Sequence, residues 1–249
     1  TKSMPSEPLM IRTIVTHICP RCESDDLVKN GHDYKGSQKF RCNTCHRYGT
    51  LSAQHGHRPK TRQQVRRGLL ERLSLRGLGR MLGISRHTIG RWLRDWLAEK
   101  PALRDTLLPM QRGDVLELDE LWSFVGNKEQ KRWVWLALCR RTRQVVAYYV
   151  GDRSEASAIR LWQGIPRDYR RCASFSDRWE AYQYVFDIEK HQMVDKTSGE
   201  TNHVERWFNT LRQRLARFTR KTLAFSKRDD IHEGLLHLFI CDYNLSCIS

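Results

Sequence analysis

No stretch of this 249-residue chain approaches the roughly 18 uninterrupted apolar positions that a membrane-crossing helix requires, so no membrane partner is expected. The apolar run from Ile11 to Ile18 is too short and too interrupted for a secretory signal, which leads us to expect a cytoplasmic protein with reduced thiols. Acidic residues are also scarce. Twenty-eight Asp/Glu face 44 Lys/Arg, a net charge of +16, and the shortage is uneven. Residues 1–112 hold 9 acidic against 22 basic side chains, while residues 113–249 hold 19 against 22. A strongly basic N-terminal part beside a near-neutral remainder suggests that the former binds a polyanion.

The eight cysteines are of two kinds. Cys139, Cys172, Cys241 and Cys247 are scattered, the first two within apolar runs. The other four form two matched pairs, Cys19-Pro-Arg-Cys22 and Cys42-Asn-Thr-Cys45, with 19 residues between them. That spacing suits one tetrahedral four-thiolate zinc ion. A closed four-thiolate site leaves no open coordination position, so this zinc is expected to be structural. A zinc ribbon over residues 14–50 follows, with His46 left at the surface.

Beyond a polar, Gly/His/Arg-rich stretch, apolar spacing becomes helical from Thr61 to Leu97. Val65, Leu69, Leu70, Leu73, Leu78, Met81 and Leu82 form the first part, and Gly83-Ile84-Ser85 interrupts it. Gly83 suits a helix end and Ser85 a helix start. The next helix, from about Arg86 to Leu97, buries Ile89, Trp92, Leu93 and Trp96 and presents Arg86, His87, Thr88, Arg91 and Arg94 off that stripe. The string LGRMLGISRHTIGRWL resembles the helix-turn-helix of resolvases and many transposases, which implies a DNA-binding domain over 60–98. Residues 99–113, with Pro101 and Pro109, read as a linker.

The texture changes at Asp114. Strand-like runs at 115–124, 132–139 and 144–150 are separated by turn signals. A helical pattern at 155–163, a strand ending near Asp177, a helix over about 178–186 and a weak strand near 189–194 come next. On a helical projection of 201–218, Val204, Phe208, Leu211, Leu215 and Phe218 share one arc, and Asn202, Glu205, Asn209 and Arg212 share the flanking one. A last helical run spans 229–243.

Asp119 lies in the strand-like run at 115–124, Asp177 follows another, and Glu205 lies beside the buried stripe of a helix. Three carboxylates delivered from separate elements are what hard divalent cations need, and paired cations are what phosphodiester chemistry needs. Strand alternation puts Glu117 on the face of Asp119 and points Glu120 away. Pattern alone does not exclude Glu117 as a ligand.

The segments LDELWSFVGNKEQKRWVWLA (118–137), FSDRWEAY (175–182) and NHVERWFNTLRQRLARFTRKTLAFSK (202–227) closely resemble transposases of the insertion-sequence-one family, and the likeness extends from about residue 17 to about residue 245. The resemblance implies a multi-domain α+β chain: zinc ribbon, helix-turn-helix, then an α/β RNase H-like catalytic domain over 114–249. It selects Asp119, Asp177 and Glu205 as catalytic residues that hold two magnesium ions. It implies binding of double-stranded DNA at terminal inverted repeats and at target sites, release of 3′-hydroxyls, and their joining to target. Arg206, Arg212, Arg217, Lys128 and Lys131 are then candidates for holding the DNA backbone, Arg212 first because it shares the face of Glu205. A homodimer or higher oligomer, prokaryotic and nucleoid-associated, is expected. The competing readings are a repressor with an inert nuclease-like domain and a junction-type or RNase H-type nuclease.

Overall fold

A computed structural model describes residues 16–34, 36–51, 59–177, 182, 185–186 and 189–248. The chain divides into two compact units, Thr1–Arg58 and Pro59–Ser249.

The first unit is a three-stranded antiparallel sheet, β1 (Leu27–His32), β2 (Gln38–Cys42) and β3 (Tyr48–Gly49), in that order. Its apolar content is thin: Cys19, Phe40 and Cys42 are its buried apolar residues among those described. Each Cys-x-x-Cys pair closes a tight turn. The Glu23 N–H donates to Cys19 O and the His46 N–H to Cys42 O. Both Glu23 (φ 58°) and His46 (φ 57°) take the left-handed conformation that such turns impose.

The second unit begins with three helices, α1 (Pro59–Leu69), α2 (Leu75–Leu82) and α3 (Arg86–Ala98). The single periodic run of the sequence is broken at residues 70–74, where Ser74 Oγ accepts from the Gly77 N–H and starts α2. Gly83, at φ 65°, ends α2 with its N–H on Gly79 O, and Ser85 Oγ caps α3 through the Thr88 N–H. Leu78, Ile89, Trp92 and Leu93 are buried as expected. Met81 is 61 % exposed and does not belong to the apolar stripe.

Five strands form the main sheet: β4 (Val115–Phe124), β5 (Lys131–Cys139), β6 (Val145–Gly151), β7 (Ala173–Ser176) and β8 (His191–Met193), in the order β6-β5-β4-β7-β8. β4, β5 and β6 pair antiparallel, whereas β4–β7 and β7–β8 pair parallel. α4 (Glu155–Gly164) joins the two halves. The helix expected over 178–186 falls largely outside the described residues, but Tyr182 and Phe186 are buried against Trp135 and Trp162.

Each face of this sheet has its own core. Leu116, Leu118, Trp135 and Ala137 pack with Ala158, Leu161, Tyr182 and Phe186. The opposite alternation, Leu121, Val134, Leu136 and Leu138, packs on α5 (Asn202–Arg214) and α6 (Asp229–Ser246). Every apolar residue of the projected 201–218 stripe is buried, yet the α-helix stops at Arg214 and only a 3-10 turn, Ala216–Phe218, continues it.

That second core also takes in α1–α3. Val65, Leu69, Leu78, Ile89, Trp92 and Leu93 are contiguous with Trp207, Phe208 and Leu235. Gly234 makes the contact possible, because a Cβ there would sit 2.7 Å from Leu97 Cδ2. Arg72 (φ 66°) donates its backbone N–H to Arg214 O and its guanidinium to Gln213 O, meeting carbonyls that α5 leaves without partners at its C-terminus. Residues 99–113 carry only the short turn Leu103–Thr106, and it is pinned: Gln144 Nε2 donates to Thr106 O, and Asn244 Nδ2 to Thr106 Oγ1.

Candidate functional site

Asp119 sits just where β7 runs out. β4 pairs with β7 from Val115 to Leu118, with Leu118 opposite Ser176, so Asp177 emerges from the strand end beside Asp119. One carboxylate oxygen each from Asp119, Glu120 and Asp177 lie within 4.8 Å of one another. Glu120 is therefore not turned away from the cluster, as strand alternation suggests. Asp177 lies beyond the last β7 pair, at the sheet's rim, where side chains from both faces of β4 reach it. Glu205 stands outside that 4.8 Å set. It accepts a long bond of 3.4 Å from the Thr201 hydroxyl, and its charge is near enough to raise Asp119.

Crowding like charges in a half-buried place disfavours their ionised forms. Burial, then the Glu120 charge, push the Asp119 carboxyl up to about 7, with smaller contributions from Asp177 and Glu205. Burial and the Asp177 charge also raise Glu120, against the opposing Arg153 guanidinium. Glu120 Oε1 accepts from Arg153 Nε at 3.0 Å, and Glu120 Oε2 from the Tyr182 hydroxyl at 3.1 Å. Asp177 Oδ1 is buried without a hydrogen-bond partner. An anionic oxygen hidden from water and unsatisfied fits a cation ligand, and an all-oxygen donor set fits a hard divalent ion.

Two further groups steady the cluster. Ser176 Oγ donates to Asp177 O, so His191 Nε2 at 3.0 Å donates to Ser176, and Ser174 Oγ donates to His191 Nδ1 at 2.9 Å. Burial holds His191 down at about 4, neutral and in one tautomer. Glu117, fully buried, does not join the carboxylate cluster. It accepts from the backbone N–H groups of His203 and Val204, from Arg140 Nε, and pairs with His203 Nδ1. Thr201 gives α5 no side-chain cap, so Glu117, two residues from Asp119, supplies the missing acceptor and ties the helix of Glu205 to the strand of Asp119.

The basic candidates separate. Arg212 lies close to the cluster: burial and the Arg220 charge lower it, Asp119 opposes them, and its Nε is buried without a partner. Arg206, Lys128 and Lys131 are exposed. Arg217 turns inward, donating to Ser226 Oγ at 2.9 Å, and burial pulls it down to about 10. On α3, Arg86, His87, Arg91 and Arg94 are exposed, whereas the Thr88 hydroxyl is engaged with Ser85 Oγ at 2.8 Å. Glu120, Arg153 and Tyr182 are the participants that the sequence did not disclose. A second carboxylate directly beside Asp119 in the same strand was the available signal.

In the first unit, Cys19, Cys22, Cys42 and Cys45 converge. Their sulfurs lie within 4.8 Å of one another, with 3.6 Å between Cys19 and Cys45 and between Cys22 and Cys42. A four-thiolate cluster of this compactness fits structural zinc. His46 is exposed. Of the other cysteines, Cys139, Cys172 and Cys241 are buried, and all four are free thiols. No helix among the described residues is long and apolar enough to cross a membrane.

Comparison with known proteins assigns both units. Residues 115–244 match the IS1 transposase family model, and residues 13–46 match the InsA N-terminal domain, a zinc ribbon. The insertion element iso-IS1n protein InsB of Shigella dysenteriae is 36 % identical over 126 residues, 51 % of this chain and 93 % of that protein. InsB of an IS1 element of Shigella flexneri is 33 % identical over 120 residues, 48 % of this chain and 88 % of that protein. An InsB of Escherichia coli strain K12 is 32 % identical over 120 residues, 70 % of its length. With its carboxylate-bearing unit matched over more than half the chain, this protein belongs to the IS1 transposase family.

Proposed function

We propose that the chain binds the terminal inverted repeats of its own element, cleaves the ends to free 3′-hydroxyls and joins these to target DNA. The observation that carries this reading is the meeting of Asp119, Glu120 and Asp177 around a buried, unpartnered oxygen of Asp177, with Glu205 and Arg212 at its border. The strand order β6-β5-β4-β7-β8, three antiparallel strands followed by two parallel ones, supports an RNase H-like core.

In this reading Asp119 and Asp177 hold two magnesium ions from the sheet, Glu205 completes the set from α5, and Glu120 lends its free lone pairs from the other face. The metals, when bound, lower the pKa of the attacking oxygen and neutralise charge at phosphorus. Arg212 meets the phosphate beside the carboxylates, where an anionic clamp would otherwise repel DNA. Glu117 fixes α5 against β4 and so holds the separation of Glu205 from Asp119. No serine or tyrosine nucleophile is required. Exposed Arg86, His87, Arg91 and Arg94 on α3 suit the major groove, with α2 and α3 acting as a helix-turn-helix. Synapsis of two ends calls for at least two copies of the chain.

The test is a magnesium-dependent assay on DNA flanking this gene, with a plasmid target and Asp177→Asn as control. End cleavage and joined products, both lost in the variant, are expected. Hydrolysis without joining identifies a nuclease instead, and DNA binding with neither product identifies a repressor.

A further inference from the structure

The acid-free stretch of the second unit richest in basic side chains starts one residue after Glu205. Residues 206–228 contain eight Lys/Arg and no Asp/Glu. Near its end the chain leaves helix and forms a surface loop, 219–228, whose tip is Leu223, 100 % exposed. Full exposure of a leucine opposes the hydrophobic effect by roughly 1.5–3 kcal/mol relative to burial.

The loop is not loosely hung. At its start Thr219 Oγ1 donates to Arg212 O at 3.1 Å, on the same turn of α5 that places Arg212 by Asp119. Behind the tip Ala224 N donates to Thr222 Oγ1 at 2.9 Å. At its far end Ser226 is buried. Its carbonyl accepts from the Gly126 N–H at 2.8 Å, and its hydroxyl meets Arg217 Nη1 and His232 Nδ1. Phe225 meets Phe124, and Phe124 meets Trp122, as tilted ring pairs, each at 5.6 Å between centroids. Trp122 and Phe124 lie on the same face of β4 as Glu120, at two-residue steps from it, so a row of rings links the loop to the carboxylates. Arg220, Lys221 and Lys227 flank the tip and are exposed.

A held apolar tip between cations, tied to α5 at Arg212 and to the carboxylates through the rings along β4, matches the wedge with which some proteins part a DNA base step while lysines and arginines hold its backbone. We propose that Leu223 inserts into the base stack of duplex DNA within a few base steps of the scissile phosphate and opens it, with Arg220, Lys221 and Lys227 on the flanking phosphates. This inference rests on the proposed function, since it takes the carboxylate cluster as the cutting centre. Opening the step frees the strand that must enter between Asp119 and Asp177.

The experiment uses the full chain and a duplex of the DNA flanking this gene, with 2-aminopurine placed in turn at each step around the cleavage junction. In an Asp177→Asn background, which prevents cleavage, fluorescence is expected to rise at one or two junction steps. Leu223→Ser removes that rise, Leu223→Phe retains it, and both bind the duplex within about twofold of the parent, because backbone contacts dominate affinity. With Asp177 intact, Leu223→Ser cleaves the paired duplex about tenfold more slowly, and a duplex mismatched at the junction restores its rate. An unchanged fluorescence rise in Leu223→Ser, or a rate defect that the mismatch fails to restore, overturns the wedge and leaves the cutting centre standing. Failure to bind the duplex, or full cleavage by Asp177→Asn, overturns the proposed function and the wedge with it.

Discussion

The two clusters of this chain that fit metal ions use opposite physics. In the first unit four thiolates close on one point from turns that a thin core would not hold alone. In the second, three carboxylates are forced together by a sheet that is already buried on both faces. In such a thiolate cluster metal binding is folding energy. In the carboxylate cluster the fold comes first, and the crowded charges work against it until a cation or a proton arrives. One cluster stabilises its fold, and the other is sustained by it.

Removing a ligand should therefore have opposite consequences in the two places. The largest effect is expected at the carboxylates: Asp177→Asn and Asp119→Asn each lower end cleavage by about a thousandfold or more. At pH 8 in metal-free buffer, Asp119→Asn should also raise the unfolding midpoint. A carboxyl whose folded value is pushed up to about 7 opposes folding increasingly as pH rises past its unfolded value of 3.8, and the penalty is complete by pH 8, whereas the neutral amide carries none. A lower midpoint would break the comparison.

Cys42→Ser, or a strong zinc chelator, should unfold the β1–β3 sheet while residues 59–249 keep their cooperative transition. Amide spectra of the full chain can follow both. Loss of both units together would mean that the ribbon is not an independent metal-dependent body.

Next comes the buried tie. Glu117→Ala strands two helix N–H groups and removes the acceptor of Arg140 Nε, leaving that guanidinium only its bonds to Glu200, and should cost about 3 kcal/mol in urea unfolding. Glu117→Gln, which keeps one acceptor oxygen, should cost less.

Acid provides a milder test. Burial holds His191 and His232 at about 4, below their unfolded value of 6.5. A depressed histidine contributes stability that is complete above the unfolded pKa and is lost as pH falls through the folded one. Stability of the second unit should therefore decline from about pH 6.5 to pH 4, by at most roughly 3 kcal/mol per residue, and His232→Asn should flatten part of that slope. The smallest effect is expected at α3, where Ser85→Ala removes the cap at a cost of about 1 kcal/mol.

Much of this could be read in the sequence because local rules agreed with the tertiary result. Gly83 and Ser85 set the α2–α3 boundary through their own backbone preferences, and the cysteine spacing needed no fold to be interpreted. The strands of the sheet appeared within a residue or so of expectation because their alternation matches two separate cores. What stayed hidden was set by distant contacts. Glu120 joins the cluster because β7 ends at Ser176, and no pattern within β4 records its neighbour's length. Glu117 caps a helix 86 residues away. Arg217, on a basic and seemingly solvated turn, points inward to Ser226, which itself is held by the end of β4.

The bare Cα of Gly234 has an effect on scale. It lets Leu97 of α3 lie directly on α6, and α6 shares its core with the sheet under Asp119, so under the proposed function the helix that grips DNA and the centre that cuts it are joined through one packed core, like the arms of a caliper. Such a caliper measures a fixed number of base pairs from the sequence it grips to the bond it breaks. Inserting about five base pairs, half a helical turn, between the recognised sequence and the terminus would carry the terminus around to the far side of the duplex, beyond its reach.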